Sequence, residues 1–551
     1  MKSSRALASL GLVAALSGCG GALGGGQGVV PMNAGGRVRD DAGVTQKIVG
    51  VGDSLTAGYQ AEGFIGQTGV PNPLNPGTPI PQTQENGWWA LVVEQASSLP
   101  LQSAIAQMYD PSTSPLPLIK GPGLDNQVVP TGPSSFAPFG QFKGADPCTY
   151  AHGFNQAGFG FKASARARMN ATSSAIRNVA VPGLTLHEAN TIHQPQTTTC
   201  SKLPGIPGLL SDVVNEESGT YWPVLRNFTN LGPHLTEVNA AASRHPTLAT
   251  VWLGANDVLK YMGSGGRFVG GDRNPGQVES DLRATVSTLQ HAGARVVLAN
   301  LPNILETGYF QRVGRVKGAG ACKIASYARC LMGISPGVST FLPGIAKAYH
   351  LNAPGCVPTS VTKPCGYLTL PATVLIINYV GSTGHAPNLD CANPAPGCKA
   401  IPGSGLGANY ITPEFAAKVQ ALNDAINQGI DNTAKSARVP LVDVHAIFQG
   451  IASGNPSNPY YRAAVSIAPG VCCTLGFIHF IGSTSPPLPG GILSFDGIHP
   501  SDTGYALIAY DFIKAINAAY GAHIPEVDVK AVYDGSRCTK YCYPDPYAPH
   551  R

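Results

Sequence analysis

Charge is scarce in this chain. Only 12% of its 551 residues are Asp, Glu, Lys or Arg, and the formal net charge is +5. No Lys/Arg cluster stands out, so no nucleic-acid partner held by a basic face is expected. Low charge combined with 43% hydrophobic residues also argues against a disordered polyelectrolyte. Aromatic residues make up 7%, so a sugar-stacking surface is not evident. There is no paired C-x-x-C spacing, hence no expected zinc site, and no cofactor is called for. No internal repeat is found, and beyond the N-terminus no apolar run is long enough to span a bilayer.

Gly and Pro are abundant instead. The 67 Gly and 47 Pro together are about a fifth of the chain, above the usual share for a compact enzyme. Apolar residues run through the same stretches, which favours long ordered loops over disorder. The first residues do not read as part of the fold. Lys2 and Arg5 form a basic n-region, and Ala6 to Leu16 is an apolar stretch too short to span a membrane. Leu16-Ser17-Gly18-Cys19 follows and resembles a bacterial lipobox, in which the cysteine carries lipid. Residues 1–18 are thus expected to be a signal peptide and Cys19 a membrane anchor. Gly20 in place of Asp after the cysteine favours outer-membrane or surface location of an exported lipoprotein.

Twelve further cysteines suit an oxidising compartment. Candidate pairs by proximity are Cys322–Cys330, Cys356–Cys365 and Cys391–Cys398, with Cys148–Cys200 closing a longer loop. Cys472 and Cys473 are expected to meet Cys538 and Cys542.

A Gly-rich tether spans 19–46, and the folded domain is expected over 47–521, followed by a cysteine-containing tail at 522–551. Short apolar runs at Lys47–Val51, Asn178–Val181, Leu248–Leu253, Arg295–Leu301 and Val439–Val444 read as five buried strands. Helical spacing is found at Gln277–Ala292 and Pro413–Ala437, and at Asp502–Ala519 with Ser501 as its N-cap. Strands alternating with helices imply a parallel sheet covered on both faces. Three long insertions, about 60–175, 303–410 and 446–490, interrupt the alternation. They hold most of the cysteines, an apolar run at Val374–Val380 and the pair Trp88-Trp89. Their expected place is over the carboxyl edge of the sheet, where open α/β folds bind ligands.

Four segments carry candidate chemistry. Gly52-Asp53-Ser54-Leu55 follows the first strand; alone it reads as a strand-to-helix turn with a capping residue. Asn178-Val-Ala-Val-Pro-Gly183 is a strand ending in a turn, where Gly183 either eases the turn or presents its N–H to a reacting carbonyl. Asn256 in Gly254-Ala-Asn-Asp257 is a turn former or an uncharged oxyanion donor. Asp496-Gly-Ile-His499-Pro500 precedes the last helix. Its spacing lets one turn present a carboxylate to one imidazole nitrogen and leave the other for a serine.

Taken together and in this order, the segments resemble the GDSL, or SGNH, family of hydrolases, whose four marker residues are here Ser54, Gly183, Asn256 and His499. The resemblance implies an α/β fold, a flavodoxin-like three-layer α/β/α sandwich with a five-stranded parallel sheet, to which the insertions are added. It implies Ser54 as nucleophile, His499 as general base and then acid, and Asp496 as its orienting carboxylate. The oxyanion hole would be the N–H groups of Ser54 and Gly183 with the Asn256 side chain. Asp53 and Asp257 are expected to brace the loops by hydrogen bonds. The implied reaction is hydrolysis of an acyl ester through an acyl-enzyme. Two substrate classes compete, a lipid or other long-chain acyl ester and an acetylated glycan, with the apolar insertions and the anchor favouring the lipid. A contrasting reading is a non-catalytic surface lipoprotein whose insertions bind a partner; it needs none of these residues together.

Overall fold

A computed structural model describes residues 43–59, 71–72, 75–79, 83–110, 112–118, 175–191, 224–263, 266, 274–307, 309–312, 367–369, 410–411, 413–452, 457–460, 462, 492–493, 498–542 and 545. The expected signal peptide, Cys19, most of the expected tether, most of the three insertions with Val374–Val380, and Asp496 lie outside these residues.

Four strands form a parallel sheet in the order β1 (Ile48–Gly52), β2 (Leu248–Trp252), β3 (Arg295–Ala299) and β4 (Leu441–Val442). Every residue of β1 and β2 is buried, the pattern of central parallel strands covered on both faces. Register runs from Ile48 opposite Leu248 to Gly52 opposite Trp252, so the two strands end level with each other.

The sequence suggests five strands; among the described residues this sheet shows four. Asn178 makes a single parallel bridge to Gly50 on the outer side of β1. Gly50 N donates to Arg177 O, Val179 N to Gly50 O and Val181 N to Gly52 O, each at 3.0 Å. The next ladder donor, Gly52 N, goes instead to Glu237 Oε1 at 2.6 Å, so no second bridge forms; Ala180 N, which faces away from β1, is taken by Asn178 Oδ1 at 3.2 Å. The last strand is also shorter than Val439–Val444. Pro440 has no N–H and gives the sheet only its carbonyl, to Leu298 N at 3.0 Å, and Val444 already begins a helix.

The helices fall near their expected places, with physical causes at their ends. Asn274 caps Gln277 N and Pro275 occupies the first turn, so this helix starts slightly before Gln277 and runs Pro275–His291. Pro413–Ala437 packs against it. The last long helix runs Asp502–Tyr520, with the Ser501 side chain accepting from Gly504 N at 3.2 Å. The helix Trp88–Gln95 packs against that helix: Trp88 stacks on Phe512 at 3.9 Å between centroids and meets Trp252 edge-on at 6.0 Å. A Cβ at Gly50 would stand 2.6 Å from Trp89 Nε1, so the missing side chain lets this helix sit close on β1.

The second insertion is joined at its two ends. Phe310–Arg312, Tyr367–Thr369 and Tyr410–Ile411 form a small antiparallel sheet, with Phe310 opposite Thr369 and Tyr367 opposite Ile411. One expected cysteine pairing is corrected. Cys538 bonds to Cys542, with Cα atoms 5.3 Å apart, rather than to Cys472 or Cys473; the turn at 535–541 folds the two thiols together. The other candidate cysteines lie outside the described residues. Among the described residues no helix is long and apolar enough to cross a membrane.

Candidate active site

The chain lays residues 177–181 on one side of β1 and β2 on the other. At such a reversal the connections leave the sheet in opposite directions and open a crevice at the carboxyl ends of the strands. Ser54, Gly183 and Asn256 all follow those ends.

Ser54 is the first residue of the short helix Ser54–Ala57. Asp53 caps it, with Oδ1 accepting from Leu55 N at 3.0 Å, and Gly58 closes it in the left-handed conformation. The turn out of β1 is tight. A Cβ at Gly52 would lie 2.1 Å from Thr56 Oγ1 and 2.9 Å from the backbone oxygen of Trp252, so only glycine fits there. Glu237 supports the same turn from beneath, its Oε1 accepting from Gly52 N at 2.6 Å. Burial raises the Glu237 carboxyl well above the usual range.

His499 arrives from the far end of the chain, just before the Asp502–Tyr520 helix. Its Nε2 stands 2.8 Å from Ser54 Oγ. The approach is fixed by an antiparallel bridge between Leu493 and Pro500 and by Ser501 N donating to Ile492 O at 2.9 Å. The Tyr59 ring covers the imidazole at 4.8 Å between centroids, and Tyr505 Oη donates to Tyr59 O at 2.6 Å. A serine hydroxyl facing a neutral imidazole nitrogen is a pair that can pass a proton and expose an alkoxide-like oxygen to an electrophile.

Asn256 joins the two other loops. Its Nδ2 donates to Asp53 Oδ2 at 3.1 Å and to Leu184 O at 3.0 Å, tying the Ser54 turn to the residue after Gly183. Gly183 itself has φ +85, and a side chain there would meet nothing within 4 Å, so the space beside its backbone is open. Asp257 Oδ2 accepts from Leu186 N at 3.0 Å. The structure thus brings Ser54 and His499 into contact and links Asp53, Asn256 and the Gly183 loop around them. Among the described residues no cluster of His, Cys, Asp or Glu is placed to hold a metal ion.

Several supports escaped the sequence reading. Thr185 and Glu188 form a reciprocal cap: Thr185 N donates to Glu188 Oε2 at 2.8 Å and Glu188 N to Thr185 Oγ1 at 3.3 Å. The Thr-x-x-Glu spacing was the signal that would have found it. Lys260 Nζ pairs with the same carboxylate at 2.6 Å and holds the loop from the Asn256 side. Tyr59 and Glu237 carry no local sequence signal for their contacts.

Burial pushes the Asp53 carboxyl up to about 7; the Leu55 N–H and His499 oppose the rise, and Asp257 adds to it. The folded value lies above the unfolded 3.8, so the folded chain holds a proton that the unfolded one releases. That contribution is whole at acid pH and is lost as the pH climbs through 7. Asp53→Asn should therefore gain stability over the wild type between pH 4.5 and pH 8, by up to about 3 kcal/mol, the part of the shift that falls in this window. Denaturant midpoints at the two pH values check this; an equal difference at both would mean Asp53 does not titrate in this window.

A Ser–His pair at the carboxyl edge of a parallel α/β sheet has a geometry that suits acyl hydrolysis. Residues 48–350, more than half of the chain, match the family GDSL-like Lipase/Acylhydrolase. The chain belongs to that family, and acyl hydrolysis of the esterase or lipase type comes with the membership. No curated protein and no solved structure matches the chain.

Proposed function

We propose that this protein is a carboxylic ester hydrolase that works through an acyl-enzyme on Ser54. The observation that carries the reading is the 2.8 Å contact between Ser54 Oγ and His499 Nε2, made across the length of the chain at the edge of the sheet. His499 Nε2 takes the hydroxyl proton as Oγ attacks the acyl carbon. The carbonyl oxygen becomes an oxyanion facing the N–H groups of Ser54 and Gly183 and the Asn256 amide. Collapse breaks the ester C–O bond, and the proton on His499 goes to the leaving alcohol. Water then gives a proton to His499, its oxygen adds to the acyl carbon, and the acid is released while the proton returns to Ser54. Asp496 is assigned the carboxylate that orients the imidazole.

Between the substrate classes, a long-chain acyl ester is favoured over an acetylated glycan. Trp88 and Trp89, the aromatic pair with most to offer a sugar, are both fully buried against the sheet and the last long helix. The test is a series of p-nitrophenyl esters from acetate to palmitate beside an acetylated polysaccharide. Expected is turnover of the ester series with a preference for acyl chains longer than acetyl. Release of acetate from the polysaccharide in preference to every simple ester would overturn the lipid reading.

A further inference from the structure

The C-terminal segment after Tyr520 is tied to the ground on which His499 stands. Asp545 Oδ2 accepts from both Thr503 N, at 2.9 Å, and Thr503 Oγ1, at 2.6 Å. Thr503 lies in the first turn of the helix that begins just after His499-Pro500-Ser501, and its N–H has no partner within the helix. Asp545 is itself held by Asp545 N donating to Tyr533 O at 3.0 Å, at the end of the short helix Val529–Asp534. A buried acceptor from 42 residues away thus completes the first turn of this helix.

A second anchor lies beside it. The Arg537 guanidinium is buried and pairs with Glu85 at 2.5 Å and Glu94 at 2.6 Å. It also donates to Asn86 Oδ1 at 3.3 Å, while Asn86 Nδ2 donates to Asp502 Oδ2 at 2.8 Å, the first residue of the same helix. The neighbouring Gly87 packs so closely on Gly58, the cap of the Ser54 turn, that a Cβ would stand 2.8 Å from the Gly58 Cα. Thr539 N reaches Gln102 Oε1 at 2.9 Å, Tyr541 stacks on Tyr109 at 4.9 Å, and the Cys538–Cys542 bond closes the loop between these contacts.

We propose that Asp545 and Arg537 are positioning residues for His499. They fix the first turn of the last long helix against the Ser54 turn, and so hold the imidazole at hydrogen-bond distance from the serine. The inference rests on the ester-hydrolase reading for its kinetic test. Displacement of a reacting group by about 1 Å can cost up to roughly a hundredfold in rate without loss of the fold.

The experiment uses the full chain and begins with wild type and Ser54→Ala, which decide the hydrolase reading by themselves. Asp545→Ala is expected to lower kcat about tenfold with KM within about twofold, because binding surfaces stay in place while the reacting pair loosens. Asp545→Asn should recover most of the loss, since an amide oxygen can accept both Thr503 bonds. Should Asp545→Ala not fold, Thr503→Val deletes one of the two donors and gives a smaller fall in kcat of the same kind. The His499 imidazole nitrogen resonances, identified by their absence in His499→Gln, should move in Asp545→Ala and return in Asp545→Asn; this readout needs no turnover. Folded Asp545→Ala or Thr503→Val with wild-type kcat and unmoved imidazole resonances would overturn the proposal. So would an Asp545→Asn variant as impaired as the alanine, which would leave only a structural role for the charge.

Discussion

Ser54→Ala is expected to lower ester turnover by about four orders of magnitude or more, with the fold and its thermal midpoint close to wild type. The change removes one oxygen from the first residue of a short helix. The caps of that helix are supplied by Asp53 and Gly58 and stay in place. The turn beneath it is set by Gly52 and Glu237, neither of which touches the hydroxyl. Every step of the proposed reaction nevertheless passes through Oγ. What remains after its loss is the stabilisation offered by the oxyanion donors and substrate binding, which gives only residual catalysis. Assays on the p-nitrophenyl series with protein of verified fold check this. Turnover within tenfold of wild type would remove Ser54 from the mechanism.

Asn256→Ala should reduce kcat by about a hundred- to a thousandfold, the usual loss for one oxyanion donor. The resting geometry adds a condition. Both hydrogens of the Asn256 amide are engaged, one with Asp53 Oδ2 and the other with Leu184 O. To serve an oxyanion, the amide must share or transfer the hydrogen now given to Asp53. Burial holds the Asp53 carboxyl near neutrality in its titration, which makes it a weaker competitor than an exposed carboxylate. Asn256→Asp keeps the shape but removes both donors and sets a second carboxyl against Asp53. It should be at least as impaired as the alanine. Steady-state kcat and KM separate this from a binding defect: kcat should fall while KM changes little. A variant that raises KM alone would assign Asn256 to substrate binding instead.

Much of this site could be read from local pattern. Gly-Asp-Ser-Leu after a buried run, Asn256 at the end of another, and His-Pro before a helix with a serine cap are each short-range signals. The sheet then brings them together, because β1 and β2 pair in register and end level. The supports of the site were less legible because they reach across the chain. Glu237 meets Gly52 from 185 residues away, and Arg537 meets Glu85 from 452 residues away. No spacing rule reports such contacts. The strand expected at 178–181 shows a different limit: the segment lies beside β1 but makes only one bridge to it. Apolar periodicity could not foresee that Glu237, from far along the chain, would take the Gly52 N–H and stop the ladder. Trp88 and Trp89 stand in a Gly- and Pro-rich stretch whose sequence does not say what covers them; they are buried where Gly50 leaves room for their helix. Cysteine positions pointed Cys538 toward Cys472 or Cys473, and its partner is instead a residue four positions away.

The most direct test of the Ser54–His499 pair is covalent capture by a fluorophosphonate, followed by mass mapping of the modified peptide. Expected is one adduct, on the peptide containing Ser54, absent in Ser54→Ala and formed much more slowly in His499→Ala. An unmodified wild-type protein, or an adduct at any other residue, would contradict the assignment of this serine as the activated nucleophile.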